Sequence, residues 1–191
     1  MTTQLLTFKT RDPRRNLPPE FGRKRAEANF VLKFMDAYLK ETQGGGFGGK
    51  HFALSGFGIA DFVWIAWREA SGGIEGSALT LERLKARIAK HQLKAFEMKL
   101  TDWRKGLSQA YRYGFFADRA ILVLPPNTAA TAAKSKSLFQ KLGVGLWSFN
   151  AETGKICKLV RAKSSGARNA GARAKAVDLI CRRLNLGKAR K

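Results

Sequence analysis

The sequence predicts an α/β fold in which helices flank one central mixed sheet. Short, strongly apolar segments typical of buried strands alternate with longer segments whose apolar residues recur at helical spacing. The chain has 191 residues, 45 % of them hydrophobic, and is long enough to bury a core without disulfides or metal ions. We therefore expect one α/β core domain with an extension at each end.

The first third of the chain predicts an extension, a helix and two strands. Prolines and basic residues are frequent in 1–19, which we expect to form a basic arm. Over 20–41, Phe30 and Phe34 belong to a set of apolar residues at the spacing of one helix face. Five glycines within 43–49 indicate a flexible loop, which lacks the Gly-Lys-Ser/Thr ending of a phosphate-binding P-loop. Strands are expected over 51–54 and 58–67.

The rest of the chain alternates between helices and strands. Asp102 can cap the helix that follows it, and Pro125 and Pro126 end the strand before them. The turn residues 150–154 lie between two apolar segments, which predicts a hairpin. In order, we expect a helix over 79–91, a strand over 93–100, a helix over 103–115, a strand over 120–124, a helix over 128–142, hairpin strands over 145–149 and 155–160, and a helix over 168–184.

These elements divide the chain into three parts. Residues 20–163 form the predicted core domain, and an insertion at about 68–92 separates two of its strands. The basic arm 1–19 precedes this domain. A basic C-terminal helix and tail, 164–191, follows it.

The charge of the chain points to a polyanionic partner. It contains 36 Lys and Arg against 14 Asp and Glu, a formal net charge of +22. Nucleic acid is the commonest reason for so large a surplus. Residues 151–191 alone hold 12 basic and 2 acidic side chains, a net charge of +10. This end therefore either contacts phosphates or forms a helix that packs on the domain through Val177, Ile180 and Leu184.

Other features exclude several classes of protein. No apolar stretch reaches the roughly 18 residues that a membrane-spanning helix needs, so we expect no membrane partner. The N-terminal residues lack the apolar core of a secretory signal. Cys157 and Cys181 have no histidine at zinc-ligand spacing, and two free thiols are typical of a reducing compartment. We expect a cytoplasmic protein, associated with the nucleoid if its source is bacterial.

Asp61 is the one charged residue in the apolar strand predicted over 58–67. Burying a carboxylate there is costly unless a positive charge compensates it. The simplest interpretation is an aspartate at the strand edge, paired with a lysine or arginine.

Glu97 and Lys99 lie two residues apart on the next predicted strand, so their side chains share one face. If that strand lies beside the strand of Asp61, two carboxylates and an amine converge. Two close carboxylates repel each other unless a cation lies between them, and hard oxygen ligands suit Mg²⁺ or Mn²⁺. Taken alone, Glu-x-Lys is equally typical of a surface salt bridge.

Gln109 and Tyr113 lie four residues apart on the following helix and share one of its faces. An aspartate late in one strand, Glu-x-Lys in the next and Gln-x-x-x-Tyr in the following helix resemble the motifs of the PD-(D/E)xK nuclease superfamily, also called restriction-endonuclease-like. The Gln-x-x-x-Tyr element is most similar to the RecB-type and lambda-exonuclease-type branches. The resemblance covers about 20–124 and implies an αβββαβ core.

The chain departs from the family pattern at two places. Ala60 stands where the family name has a proline. The 36 positions from Asp61 to Glu97 (97 − 61) exceed a simple hairpin, so the helix over 79–91 must form an insertion.

The resemblance implies a role for each motif residue. Asp61 and Glu97 would bind Mg²⁺ together with the main-chain carbonyl of Met98, and Mn²⁺ would be able to substitute. Lys99 would be the catalytic lysine. In supporting roles, Gln109 and Tyr113 would steady the site and the DNA backbone, and Glu27 matches the place of an additional acid in some members.

Together, the motifs and the charge predict an Mg²⁺-dependent nuclease that hydrolyses DNA phosphodiester bonds. A surplus of positive charge favours backbone contact over sequence readout, so we expect a structure- or end-directed enzyme of repair or junction-resolving type. DNA is favoured over RNA as the partner, and two copies of the chain could pair as a homodimer. The alternative is a non-catalytic nucleic-acid-binding protein in which Asp61, Glu97 and Lys99 form a structural ion pair. The nuclease interpretation requires both acids in one pocket, beside a positively lined cleft.

Overall fold

The computed structural model describes residues 4–7, 22–42, 46–66 and 81–188. Seven strands form one sheet in chain order, and six helices accompany them within these residues. The elements are β1 Gln4–Thr7, α1 Gly22–Glu41, β2 Gly46–Leu54, β3 Gly58–Ala66, α2 Leu81–Ala89, β4 Leu93–Met98, α3 Trp103–Tyr113, β5 Arg119–Leu124, α4 Pro126–Ala133, α5 Lys136–Leu142, β6 Gly145–Phe149, β7 Ile156–Val160 and α6 Ala170–Lys188.

The sheet is mixed, as the sequence predicts for an α/β fold. β1 is parallel to β2, and β2, β3 and β4 are antiparallel neighbours. β4, β5 and β6 run parallel, and β7 closes the sheet as the second strand of the predicted hairpin. No helix among the described residues is long and apolar enough to cross a bilayer.

Helices cover both faces of this sheet. On one face, Phe34 and Tyr38 of α1 pack on Phe96 of β4, with ring centroids 5.5 and 5.1 Å apart. On the other face, Tyr113 and Phe116 belong to a second buried cluster, to which α2 and α6 also contribute. Successive side chains of β4 point to opposite faces of the sheet. Alternate residues of this strand therefore pack into the two different clusters.

The glycine-rich segment was predicted as a flexible loop, and this prediction is wrong from Gly46 onward. Residues 46–54 form β2, which pairs with both β1 and β3. A Cβ atom on Gly48 would lie 2.8 Å from the Phe62 ring and 2.9 Å from the Trp64 ring of β3. The glycines are required because large aromatic rings from the neighbouring strand lie over the backbone of β2. Residues 43–45 lie outside the described part of the chain.

Two further predictions need correction. Residues 4–7 of the predicted arm form β1, whose backbone pairs with the outer edge of β2. Residues 8–19 lie outside the described residues.

The single helix predicted over 128–142 is two helices. The N–H groups of Lys134 and Ser135 bond to carbonyls three residues earlier, and this tighter turn interrupts the helix.

The predicted insertion leaves β3 and β4 in contact. Its helical part, α2, packs against α6. Lys85 Nζ of α2 lies 2.8 Å from Asp178 Oδ1 of α6. Residues 68–80 lie outside the described part of the chain. Since the two strands pair directly, the long connection does not separate the residues that they carry.

The basic C-terminal helix packs on the core. Val177 and Ile180 of α6 are buried in the same cluster as the β-sheet residues Val63 and Ala95. Before this helix, the guanidinium of Arg168 donates to the Tyr111 carbonyl over 2.7 Å. The helix therefore belongs to the folded body of the protein, and residues 189–191 lie outside the described part.

Because β2 packs closely on the rings of β3, adding a single methyl group to β2 should destabilise the protein. We expect Gly48→Ala to lower the free energy of unfolding by about 1–3 kcal/mol, the usual cost of overpacking a core. The measurement is chemical denaturation followed by circular dichroism. Gly22→Ala is the matched control, because a Cβ at that position meets no atom within 4 Å. Equal stability of the two variants would contradict the close approach.

Candidate functional site

The pairing of β3 with β4 brings the two predicted acids together. Phe62 lies opposite Phe96 in the antiparallel register, so one further step places Asp61 opposite Glu97. Directly opposed residues in an antiparallel pair share a face of the sheet. Asp61 is 5 % exposed and Glu97 is 1 % exposed. The structure thus places both carboxylates on one face and removes them from water.

Asp61 also links the two strands through its side chain. The main-chain N–H of Met98 donates to Asp61 Oδ2 over 2.9 Å. This bond holds the carboxylate at the end of β4, immediately beside Glu97. This buried hydrogen bond therefore explains how Asp61 can lie in the middle of an apolar strand. Asp61 does not lie at an exposed strand edge.

Lys99 reaches Glu97 from just beyond the end of β4. Its Nζ lies 2.6 Å from Glu97 Oε1. The strand was predicted over 93–100 and ends at Met98, two residues earlier, so Lys99 lies just outside it. The Lys99 N–H nevertheless bonds to the Val123 carbonyl of β5 over 3.2 Å, which continues the strand-like geometry. For this reason Lys99 still points to the same face as Glu97.

Tyr113 completes the cluster from α3. Its hydroxyl lies 2.6 Å from Glu97 Oε2 and 2.6 Å from the Ile59 carbonyl oxygen. A phenol has one proton and can donate to only one of these oxygens at a time. When Tyr113 donates to the carbonyl, its contact with Glu97 requires a proton on the carboxyl group. The cluster therefore accommodates either protonation state of Glu97.

The electrostatics of the cluster follow from burial. Desolvation, reinforced by the charge of Asp61, raises the pKa of Glu97 above its usual range, although Lys99 and Tyr113 oppose the shift. Burial disfavours the charge on Lys99, but the Glu97 carboxylate outweighs it and the pKa of Lys99 is raised. Burial and the nearby Glu97 also raise the pKa of the Tyr113 phenol. Lys99 is therefore a cation beside two acids that it neutralises only in part.

Gln109 has no hydrogen bond to the other predicted site residues within the described part of the chain. It lies one helical turn before Tyr113 and is half-buried. Its side-chain Oε1 is buried and has no hydrogen-bond partner among the described residues. An unsatisfied buried amide oxygen is costly, so Gln109 Oε1 can accept a hydrogen bond from a donor outside the described residues.

Gly106 is a residue of the site that the sequence analysis missed. A Cβ atom at this position of α3 would lie 2.9 Å from Lys99 Cγ and 2.6 Å from Leu122 Cδ1. The missing side chain lets the stem of Lys99 run along the helix toward Glu97. An isolated glycine inside an otherwise helical pattern was the available signal.

Two other polar residues lie near these acids. Glu27 of α1 is close enough for its charge to raise the pKa of Lys99. His51 of β2 is buried and has a positive φ of 52°, which is rare for a residue other than glycine. The register of β2 with β3 places His51 opposite Asp61. Sequence reasoning had assigned His51 no role.

The donor set of the cluster fits a hard cation. Mg²⁺ is commonly held by one or two carboxylates, with water and substrate oxygens filling the other positions. Asp61 and Glu97 supply two such carboxylates, and the carbonyl of Met98, the residue directly after Glu97, is the third oxygen that the resemblance implies. Across the described ranges, no three His, Cys, Asp or Glu side chains group as a metal cluster. A cation here would therefore retain positions for water and a phosphate oxygen.

A cleft of about 450 Å³ lies at the N-terminal ends of α3 and α4, and its lining includes neither the two acids nor Lys99. Its charged lining consists of Arg104 and Asp102, with hydroxyl and amide groups such as Thr128 and Asn127 around them. Among the described residues this cleft is close to neutral, because the aspartate that caps α3 offsets the arginine. The sequence predicts a positively lined cleft beside Asp61 and Glu97, and that stays a prediction.

The chain matches no protein-family model and no curated protein. It is similar to the solved structure of a protein of unknown function from Silicibacter pomeroyi, with 14 % sequence identity, a TM-score of 0.49 and coverage of 84 % of each chain. The function considered below therefore depends on the residues of this chain.

The contacts of Tyr113 predict that its hydroxyl stabilises the cluster. We expect Tyr113→Phe to lower the free energy of unfolding by about 1–3 kcal/mol, because buried oxygens lose a hydrogen-bonding partner. Tyr111→Phe is the control on the same helix: its ring packs 4.0 Å from the Arg168 guanidinium, and phenylalanine keeps that ring. Denaturation curves compare the two. If Tyr111→Phe lowered the free energy of unfolding as much as Tyr113→Phe, the stabilising role of the Tyr113 hydroxyl would be contradicted.

Proposed function

We propose that the protein is a metal-dependent nuclease that hydrolyses DNA phosphodiester bonds. The observation that carries this proposal is the meeting of Asp61, Glu97, Lys99 and Tyr113, from three different elements, in one buried cluster. The order α1, β2, β3, β4, α3, β5 supports a restriction-endonuclease-like αβββαβ core, with α2 as the insertion. The same motifs carried the resemblance to the PD-(D/E)xK superfamily in the sequence.

Asp61, Glu97 and the Met98 carbonyl would hold Mg²⁺, and Mn²⁺ would be able to substitute. The bound ion would supply Lewis-acid stabilisation of charge and a water of lowered pKa. Lys99 places a fixed positive charge beside the acids, where it can stabilise negative charge that develops on a phosphate oxygen. Tyr113 acts as a positioning residue, because it holds the Glu97 carboxyl group from the opposite side to Lys99.

The substrate follows from the charge of the chain. A net charge of +22 supplies affinity for phosphates, which carries little sequence information. We therefore favour DNA recognised by its structure or its ends, in repair or junction resolution, over a site-specific target. Such a protein would act in the cytoplasm.

One observation favours a second function, that of a non-catalytic nucleic-acid-binding protein. Both carboxylate oxygens of Glu97 already have a protein partner, Lys99 on one side and Tyr113 on the other. Asp61 accepts a main-chain hydrogen bond. A cluster whose groups satisfy one another can serve as a structural ion pair, and dependence on a metal separates the two functions.

The nuclease proposal predicts cleavage that requires a divalent cation. We expect Mg²⁺ to support cleavage of a panel of linear, nicked, branched and single-stranded DNA, and EDTA to abolish it while DNA binding persists. Asp61→Asn, Glu97→Gln and Lys99→Met should each lower the rate by at least about 10²–10³-fold, the usual loss of a main electrostatic stabiliser. Glu152→Gln, at an exposed acid in a turn, is the control and should cleave like the wild type.

The outcomes distinguish the two functions. Wild-type cleavage by Lys99→Met would remove that residue from the mechanism, and cleavage unaffected by EDTA would refute a metal-dependent enzyme. Tight DNA binding without cleavage in Mg²⁺ or Mn²⁺ would assign the protein to the non-catalytic class.

The charge predicts strongly salt-dependent binding. If roughly six to ten phosphates are neutralised, affinity for DNA should fall by about 10³–10⁵-fold between 50 and 200 mM salt. Fluorescence anisotropy with the Glu97→Gln protein measures this slope without cleavage. Two unrelated sequences of equal length should give the same slope and similar affinities. A flat salt dependence would exclude backbone-driven binding.

A further inference from the structure

A second polar cavity lies at the other end of the sheet, away from the acids. It has a volume of about 420 Å³ and lies between the C-terminal end of α1, the first residues of β4 and β5, and β7 with the residues after it. Among the described residues, its lining includes four cationic side chains, Lys94, Arg119, Lys158 and Arg161, and one acid, Glu41.

The single acid compensates only one of these cations. Glu41 Oε1 lies 2.6 Å from Lys158 Nζ. Lys94 Nζ donates to the Tyr38 hydroxyl over 3.0 Å, a neutral partner that leaves its charge unbalanced. The buried Nε of Arg119 has no hydrogen-bond partner among the described residues. Three positive charges therefore share the cavity without an acid in its lining to balance them.

This arrangement is unfavourable in the empty protein. Burial, followed by repulsion from Arg119 and Lys158, lowers the pKa of Lys94. Charged groups that are partly removed from water and lie close to like charges need a counter-charge. Among the described residues the lining supplies one carboxylate for four cations, so an anion bound from solution would supply the missing counter-charge.

The cavity is separate from the acid cluster. Lys94 and Glu97 lie three residues apart on β4, so their side chains point to opposite faces of the sheet. Lys94 packs on the face covered by α1 through Tyr38, whereas Glu97 meets Tyr113 of α3. The cavity therefore cannot belong to the same groove as the proposed catalytic residues.

We propose that this cavity is a binding site for a phosphate group that carries two negative charges, as in a phosphate monoester or a diphosphate. Guanidinium groups bind phosphate oxygens through paired N–H donors, and a lysine adds a point charge. The volume lies within the range of small-ligand sites. A doubly charged group matches the three uncompensated cations better than a single carboxylate would. The inference is independent of nuclease activity, because it uses none of the residues of the acid cluster.

The test is calorimetric titration with inorganic pyrophosphate in EDTA at fixed ionic strength. Arg119→Met should weaken binding by about tenfold or more, as expected for a lost hydrogen bond between charged groups. Arg25→Met is the matched control: this exposed arginine lies 13 residues before Tyr38 on α1, about 20 Å along the helix. It removes the same charge and should change the affinity less than twofold.

Two further variants keep the test decisive. Arg161 is exposed, so Arg161→Met should fold normally and should also weaken binding, even if Arg119→Met proves unstable. Lys99→Met should bind pyrophosphate like the wild type. Loss of binding in Lys99→Met but not in the cavity variants would place the anion at the acid cluster and overturn the proposal. Equal losses of pyrophosphate affinity in Arg119→Met and Arg25→Met would show that binding depends only on the net charge of the protein. That result would also overturn the proposal.

A competition experiment identifies the chemical group that is recognised. A dinucleotide with a 5′-phosphate should displace pyrophosphate, because its terminal monoester carries two charges. The same dinucleotide with a 5′-hydroxyl carries only a diester and should not. Equal displacement by both would make the cavity a general contact for the nucleic-acid backbone and would refute a site for a doubly charged phosphate.

Discussion

Two carboxyl groups, Asp61 and Glu97, are buried side by side where β3 and β4 meet, and the protein must compensate their charge without water. Three elements contribute to this: the N–H of Met98 at the end of β4, the ammonium of Lys99 beyond it and the phenol of Tyr113 from α3. The compensation is incomplete, as the raised pKa of Glu97 indicates. A cation bound between the two acids would relieve the repulsion between them, as the proposed function requires.

Close backbone approaches position these groups. β2 lies against β3 because glycines such as Gly48 leave room for the rings of Phe62 and Trp64. α3 lies against the stem of Lys99 because Gly106 has no side chain. In both cases the glycine makes space for a large or long side chain of another element. The geometry of the site thus depends on small residues that take no part in chemistry.

Two groups of charged side chains lie at different places on the sheet. The acids lie at the end of β4 on the face of α3, whereas the cationic cavity lies near the beginning of β4 and β5 on the face of α1. The cleft at the N-terminal ends of α3 and α4 is close to neutral among the described residues. The net charge of +22 is therefore a property of the whole surface, and it does not by itself locate a phosphate site.

Local patterns in the sequence determined the α/β class, most strands and helices, and the shared face of Glu97 and Lys99, because these depend on periods of 2 and 3.6 residues. The tertiary structure decided what local patterns do not encode. The glycine-rich segment became a strand because rings of β3 cover it, and the helix over 128–142 broke where tighter turns formed. The register of β3 with β4 placed Asp61 opposite Glu97 across a 36-residue separation. The cationic cavity gathers residues between Tyr38 and Ala162, a proximity that only chain folding creates.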